Sequence, residues 1–144
     1  MNEPYIIEAI VDYFNSRGYK VTTSSEAVDI IAIKDNKKWV VEAKGEWVNE
    51  MGYALYAVIG QIIRNMHSFS KDISYGIAIS KTHFRYFHWW GVEGLKLLPI
   101  HLFLIDEKGS IEVFNPEEFI ALIEELKEDK VSQFTYNVNR HGGE

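Results

Sequence analysis

The segment from residue 28 to residue 44 constrains the fold of this chain more than any other part of it. Two runs rich in β-branched and aromatic residues, 28–33 and 39–43, flank the polar stretch Lys34-Asp35-Asn36-Lys37-Lys38. This pattern predicts two antiparallel strands joined by a tight turn. A turn of two or four residues centred on Asp35-Asn36 places residue 34 opposite residue 37, whereas an odd-length turn would shift the register.

With an even-length turn, two acidic side chains come together. Counting back along both strands places Asp29 opposite Glu42, and directly opposed side chains on an antiparallel pair lie about 5 Å apart. Two carboxylates at that distance repel each other unless a proton or a cation lies between them. Lys44 projects from the same face as Glu42, because side chains alternate along a strand. The three residues suit Mg²⁺, which one or two carboxylates usually hold together with a substrate phosphate.

Asp29, a spacer and then Glu42-Ala43-Lys44 resembles the PD-(D/E)xK, or restriction-endonuclease-like, nuclease superfamily, over roughly residues 3–115. Val28 stands where the family pattern has proline. The resemblance implies an α/β fold with an α-β-β-β-α-β core, in which helices flank a central mixed sheet. It also implies metal-dependent hydrolysis of nucleic acid, with DNA as the expected substrate. Asp29, Glu42 and the Ala43 carbonyl would hold Mg²⁺ or Mn²⁺, and Lys44 would position the attacking water.

The first helix offers a further acidic candidate. Pro4 suits its first turn, apolar residues recur at helical spacing, and Gly18 ends the pattern. The resemblance implies that a glutamate on this helix assists metal binding. Glu8 is the first candidate, because it lies off the apolar stripe, and Glu3 is the second. The alternative for Glu8 is a solvated helix carboxylate, and the sequence favours this alternative.

Residues 52–67 form the clearest predicted helix, with apolar residues on a stripe that would pack on the sheet. Gln61 falls off this stripe, on a flank that also carries Asn65. The resemblance implies that a glutamine on this helix contacts the attacking water or a phosphate. The alternative is an ordinary solvent-facing glutamine. We expect Arg64 and Asn65, one turn further on, to be surface residues, with a phosphate contact as the less favoured interpretation.

The remaining pattern predicts one domain, residues 1–131, followed by a C-terminal tail, residues 132–144. The other predicted elements are strands at 19–23, 75–80, 101–105 and 111–114, a helix after Thr82 and a final helix from Pro116. Five aromatic residues between 83 and 90 admit two functions. They either stack on unpaired bases or fill the core and contact another subunit, and the sequence favours the second.

Composition restricts the function classes. The chain has no cysteine, no pattern of a secretion signal and no apolar run of membrane-spanning length, so we expect a cytoplasmic protein without a membrane partner. Its net charge of −6 argues against tight binding of free duplex DNA. A catalytically silent module that binds nucleic acid or protein is therefore the main alternative, and an enzyme of different chemistry or a structural subunit is another. A homodimer or a protein partner is compatible with the sequence.

Overall fold

The computed structural model describes residues 1–23, 26–46 and 52–142, with side chains described as far as residue 129. The loop predicted after Lys44 therefore lies partly outside the described residues. The elements are α1 (Glu3–Asn15), β1 (Lys20–Thr22), β2 (Ile30–Lys34), β3 (Lys37–Ala43), α2 (Tyr53–Arg64), β4 (Ile73–Ser80), a 3₁₀ helix (Lys81–Trp89), α3 (Val92–Leu95), β5 (Ile100–Ile105), β6 (Ile111–Phe114) and α4 (Pro116–Gly142).

The six strands form one mixed sheet in which their spatial order equals their order in the chain. Strands β1, β2 and β3 are antiparallel neighbours, β3, β4 and β5 are parallel, and β6 returns antiparallel to β5. This arrangement confirms the predicted α/β class with a central mixed sheet flanked by helices. As far as β4 the element order is also the predicted one: helix, three strands, helix, strand.

The β2–β3 hairpin has the predicted register. Lys34 pairs with Lys37, and Ile30 pairs with Val41, so the turn contains two residues. Its first residue, Asp35, adopts φ 53°. Aspartate tolerates this left-handed conformation better than most residues because its short side chain can bond to the local backbone.

Alternation along the strands divides the core into two layers. On one face of the sheet, α1 packs through Ile6, Ile10 and Phe14 against inward side chains such as Val41. On the other face, α2, the 3₁₀ helix and α4 cover a second apolar layer that includes Val40. Because Glu42 has the same parity as Val40, its side chain lies on the α2 side of the sheet.

Three elements differ from the sequence prediction, which has no counterpart of α3. The segment after β4 is a 3₁₀ helix beginning at Lys81, rather than an α-helix capped by Thr82. Helix α4 continues through Gly142, so most of the predicted tail is helical. In the part of the chain that the structure describes, no helix combines the length and the apolar character needed to span a membrane.

Candidate functional site

The hairpin brings Asp29 and Glu42 together at the start of β2 and near the end of β3. Continuing the observed pairing of Ile30 with Val41 places the two residues opposite each other, as predicted. The Asp29 Oδ2 atom accepts a hydrogen bond of 2.9 Å from the backbone nitrogen of Ala43. This bond fixes the aspartate beside the strand that carries the glutamate.

Glu42 is held as a neutral acid. Its side chain is buried, with 3% of its surface exposed. Burial, followed by a hydrogen bond to Asp29 and the negative charge of Asp29, raises the pKa of Glu42 to about 8. Desolvation and a neighbouring carboxylate both disfavour a second negative charge. At neutral pH the two carboxyl groups therefore share one proton, in a position that a cation could occupy instead.

Asn65, at the C-terminal end of α2, fixes Glu42 from the opposite side. Its Nδ2 atom lies 2.9 Å from Glu42 Oε1, 3.1 Å from the Ala27 carbonyl oxygen and 2.9 Å from the Gln61 carbonyl oxygen. Asn65 is buried, so the prediction of a surface residue at this position is wrong. The sequence contained one indication that Asn65 belongs to the site. It follows Gln61 by four residues, on the flank with Ala54 and Ala57, and residues four apart share a helix face.

Lys44 meets the N-terminal end of α1. Its Nζ atom lies 3.4 Å from Glu3 Oε1, and 11% of its side chain is exposed. Glu8, by contrast, is exposed on α1. The acidic residue of α1 that reaches Lys44 is therefore Glu3, the second candidate from the sequence, and the structure does not place Glu8 beside the predicted site residues.

Gln61 is half-buried on α2, one turn before Asn65. Its Oε1 atom is buried and has no hydrogen-bond partner among the described residues. A buried polar atom without a partner costs free energy, so this oxygen requires a hydrogen-bond donor in the native protein. An acceptor such as this oxygen takes a hydrogen bond from a water but not from an ionised phosphate, so the role of Gln61 beside the attacking water stays a prediction.

The donor set suits a hard divalent cation. Asp29, Glu42 and the Ala43 carbonyl offer only oxygen atoms, which Mg²⁺ and Mn²⁺ prefer. Within the described residues, no group of three or more histidine, cysteine, aspartate or glutamate side chains could hold a metal. Two carboxylates are nevertheless the usual number for Mg²⁺, which completes its shell with water and substrate phosphate. The residues present therefore fit the metal that the resemblance implies.

Glu46 forms a second polar cluster beyond the end of β3. It accepts hydrogen bonds from the hydroxyl groups of Ser80 and Thr82 and pairs with the amino group of Met1 at 3.1 Å. These donors, the Thr82 hydroxyl first, lower the pKa of Glu46 to about 2. A cavity of about 380 Å³ lies beside this cluster, at the carboxyl ends of β4 and β5. Glu46 is thus an ionised carboxylate that connects the amino group of Met1 to Ser80 at the end of β4.

No protein-family model matches the chain, and no curated protein matches it. The chain is similar in structure to the crystal structure of an FdxN element excision controlling factor protein from Anabaena variabilis. The TM-score is 0.58 at 18% sequence identity, and the match covers 78% of this chain and 99% of that one. At this identity the likeness shows the fold alone. The chain therefore shares the fold of this excision controlling factor.

Proposed function

We propose that this protein is a metal-dependent nuclease of the PD-(D/E)xK type, which hydrolyses phosphodiester bonds in nucleic acid, with DNA as the first substrate to test. The observation that carries the proposal is the Asp29–Glu42 pair, in which a buried carboxyl group stands opposite a second one at the end of the hairpin. Burying Glu42 beside the half-buried Asp29 costs stability, and no packing requirement of the hairpin explains this pair. A cation-binding role explains the pair.

Each residue has a distinct task in this mechanism. Asp29 and Glu42, with the Ala43 carbonyl, would hold Mg²⁺ or Mn²⁺, and the hydrogen bonds from Ala43 and Asn65 fix the two carboxyl groups in place. The metal supplies acidification of a water and stabilisation of phosphate charge. Lys44 orients the attacking water or offsets charge on the phosphate, since an ammonium group nearby lowers the energy of a developing oxyanion. The amide oxygen of Gln61 would accept a hydrogen bond from that water.

Lys44 also gives a reason to keep the second candidate function, a catalytically silent module that binds nucleic acid or protein. Its ammonium group already pairs with Glu3, and Glu42 already has Asn65 as a partner. In that function the carboxyl pair and the lysine only connect β3, α1 and α2. In the nuclease, substrate phosphate competes with Glu3 for Lys44.

The test is cleavage of plasmid, branched and single-stranded substrates with Mg²⁺ or Mn²⁺ by the wild-type chain and by Lys44→Ala. Lys38→Ala is the matched control, because Lys38 lies on the same strand but is exposed. We expect metal-dependent cutting by the wild type and the control, and a loss of roughly 100-fold or more in Lys44→Ala. Equal cutting by Lys44→Ala would contradict the mechanism.

Binding of Mn²⁺, measured by calorimetry, separates the two functions. The nuclease requires binding by the wild type and its loss in Asp29→Asn and Glu42→Gln. Absence of both binding and cutting supports the silent module. We also propose that the protein works in the cytoplasm, with nucleic acid rather than a membrane as its partner.

A further inference from the structure

An exposed aromatic surface lies where α2 meets the 3₁₀ helix. We call it the aromatic face; it comprises Tyr53, Tyr56, Tyr86, Trp89 and Trp90. The exposed fractions of Tyr53, Tyr56 and Trp89 are 65%, 55% and 60%. Large aromatic side chains rarely remain this exposed in a group without a binding role. Phe84 and Phe87 of the same segment are buried, so the core-filling function predicted for this run is confirmed only for part of it.

The rings of the aromatic face are held in place by one another. Tyr56 and Trp90 stack with centroids 4.9 Å apart and an interplanar angle of 24°. Tyr53 lies 6.0 Å from Tyr56, and Trp89 lies 5.9 Å from Tyr86. The Arg85 guanidinium group lies 4.9 Å from the Tyr86 ring centroid. Rigid rings beside a cation are the common elements of sites that stack on unpaired bases.

Charge is distributed unevenly along the chain, and the aromatic face lies in its positive part. Residues 52–91 carry four basic side chains, Arg64, Lys71, Lys81 and Arg85, against the single acid Asp72. Residues 92–129, which include most of the described part of α4, carry ten acidic and three basic side chains. Lys81 is paired with Glu112 at 2.8 Å, so the excess of basic side chains in this stretch rests on Arg64, Lys71 and Arg85. Local positive charge, rather than net charge, is what phosphate contacts require.

The outer side of α2 connects the aromatic face to the carboxyl pair. Tyr53, Gly60 and Arg64 follow one another at helical spacing on this side, and all three are exposed. A side chain at Gly60 would meet nothing within 4 Å, so this side of the helix is open. Arg64 lies near enough to Glu42 for its charge to act on that carboxyl group. A bound strand could thus extend from the aromatic rings across α2 to the site.

We propose that the aromatic face binds single-stranded nucleic acid by stacking on unpaired bases, while Arg64 and Arg85 contact its phosphates. Binding of the strand does not depend on the proposed nuclease function. Only the further statement that the bound strand is the substrate rests on that function. The alternative occupant is a second copy of the chain. An isologous dimer on this face would bring the positive residues of two copies into one interface, whereas a polyanion is complementary to them.

The test is fluorescence anisotropy of labelled oligo(dT) and of a duplex of equal length, in EDTA so that no cutting occurs. We expect tighter binding of the single strand. Tyr53→Ala should weaken it about tenfold, the loss of stacking on one base, with Tyr56→Ala and Trp89→Ala similar. Phe69→Ala is the matched control, because Phe69 is 66% exposed outside the aromatic face and its replacement should have no effect.

Circular dichroism checks that each variant folds, and Tyr53→Ala is the decisive one because its ring is mostly in solvent. Equal binding of duplex and single strand, no binding of either, or wild-type affinity in Tyr53→Ala would overturn the proposal. So would a loss of self-association in Tyr53→Ala, seen by sedimentation, without a change in oligo(dT) affinity. Strand binding that depends on Tyr53 in a chain that cuts nothing would support this inference while rejecting the nuclease.

Discussion

The Glu42 carboxyl group, at the centre of the candidate site, stays protonated at neutral pH because its pKa is raised. The native protein holds that proton up to a pH of about 8, whereas an unfolded chain releases it near 4.5. Between these two values the native state binds more protons than the unfolded state, so the free energy of unfolding falls as the pH rises. The site thus lowers stability in the pH range in which a metal could replace the proton.

Replacing Glu42 by glutamine should remove this pH dependence, because an amide cannot ionise. We expect the Glu42→Gln chain to gain stability relative to the wild type as the pH rises from 5 to 9, by roughly 2 kcal/mol or more. Urea unfolding across this range measures the effect. Glu112→Gln, an exposed strand position, serves as the control. Parallel pH profiles of wild type and Glu42→Gln would refute a neutral Glu42.

Among the secondary-structure elements, the β2–β3 hairpin sets the strand register that places Asp29 opposite Glu42. Its turn depends on Asp35, whose φ of 53° costs a β-branched residue about 1–2 kcal/mol. We therefore expect Asp35→Val to lower the free energy of unfolding by about that amount, and Asp35→Gly to change it little. Thermal unfolding of both variants tests this prediction. Equal stability of the two would mean that the turn imposes no backbone constraint.

The contact between the end of β3 and the start of α1 also depends on one small residue. A Cβ atom at Gly45 would lie 2.4 Å from the backbone nitrogen of Glu3. Gly45→Ala should force the two segments apart, lower the unfolding free energy by about 1–3 kcal/mol and weaken the Lys44–Glu3 pair. Gly91→Ala, where a side chain meets nothing, should change stability far less. Denaturant unfolding compares the two, and equal losses would contradict the close approach.

The hairpin and its carboxyl pair could be predicted from sequence because their geometry is local. The turn length and the alternation of side chains determine that Asp29 opposes Glu42. The partners that complete the site are not local. Asn65 reaches Glu42 across 23 positions, and Glu3 reaches Lys44 across 41, so both contacts depend on how α1 and α2 cross the sheet. The sequence pattern constrains which face a helix buries, but not where its ends lie.

Across the whole molecule, the net negative charge lies after residue 91, where 11 acidic side chains outnumber five basic ones, while Arg85 lies beside the aromatic face. The acidic part should repel an approaching polyanion over about a Debye length. Replacing Glu125 and Glu128 on α4 by lysine should therefore speed association with oligo(dT) several-fold at low salt, with little change in the dissociation rate. Stopped-flow anisotropy measures both rates, and the glutamine versions should give about half the effect. An acceleration that persists at 0.5 M salt would argue for direct contact instead.

The identity of spatial and sequence order in the sheet has a consequence for how the chain acquires its structure. Each strand pairs with the strand that precedes it, so no strand must be inserted between two others. During synthesis each new strand can pair with the edge strand of the sheet that has already left the ribosome. The hairpin with Asp29 and Glu42 would form early, when its two carboxylates are still hydrated. Only the later arrival of α2, with Asn65, would bury the pair and fix its proton.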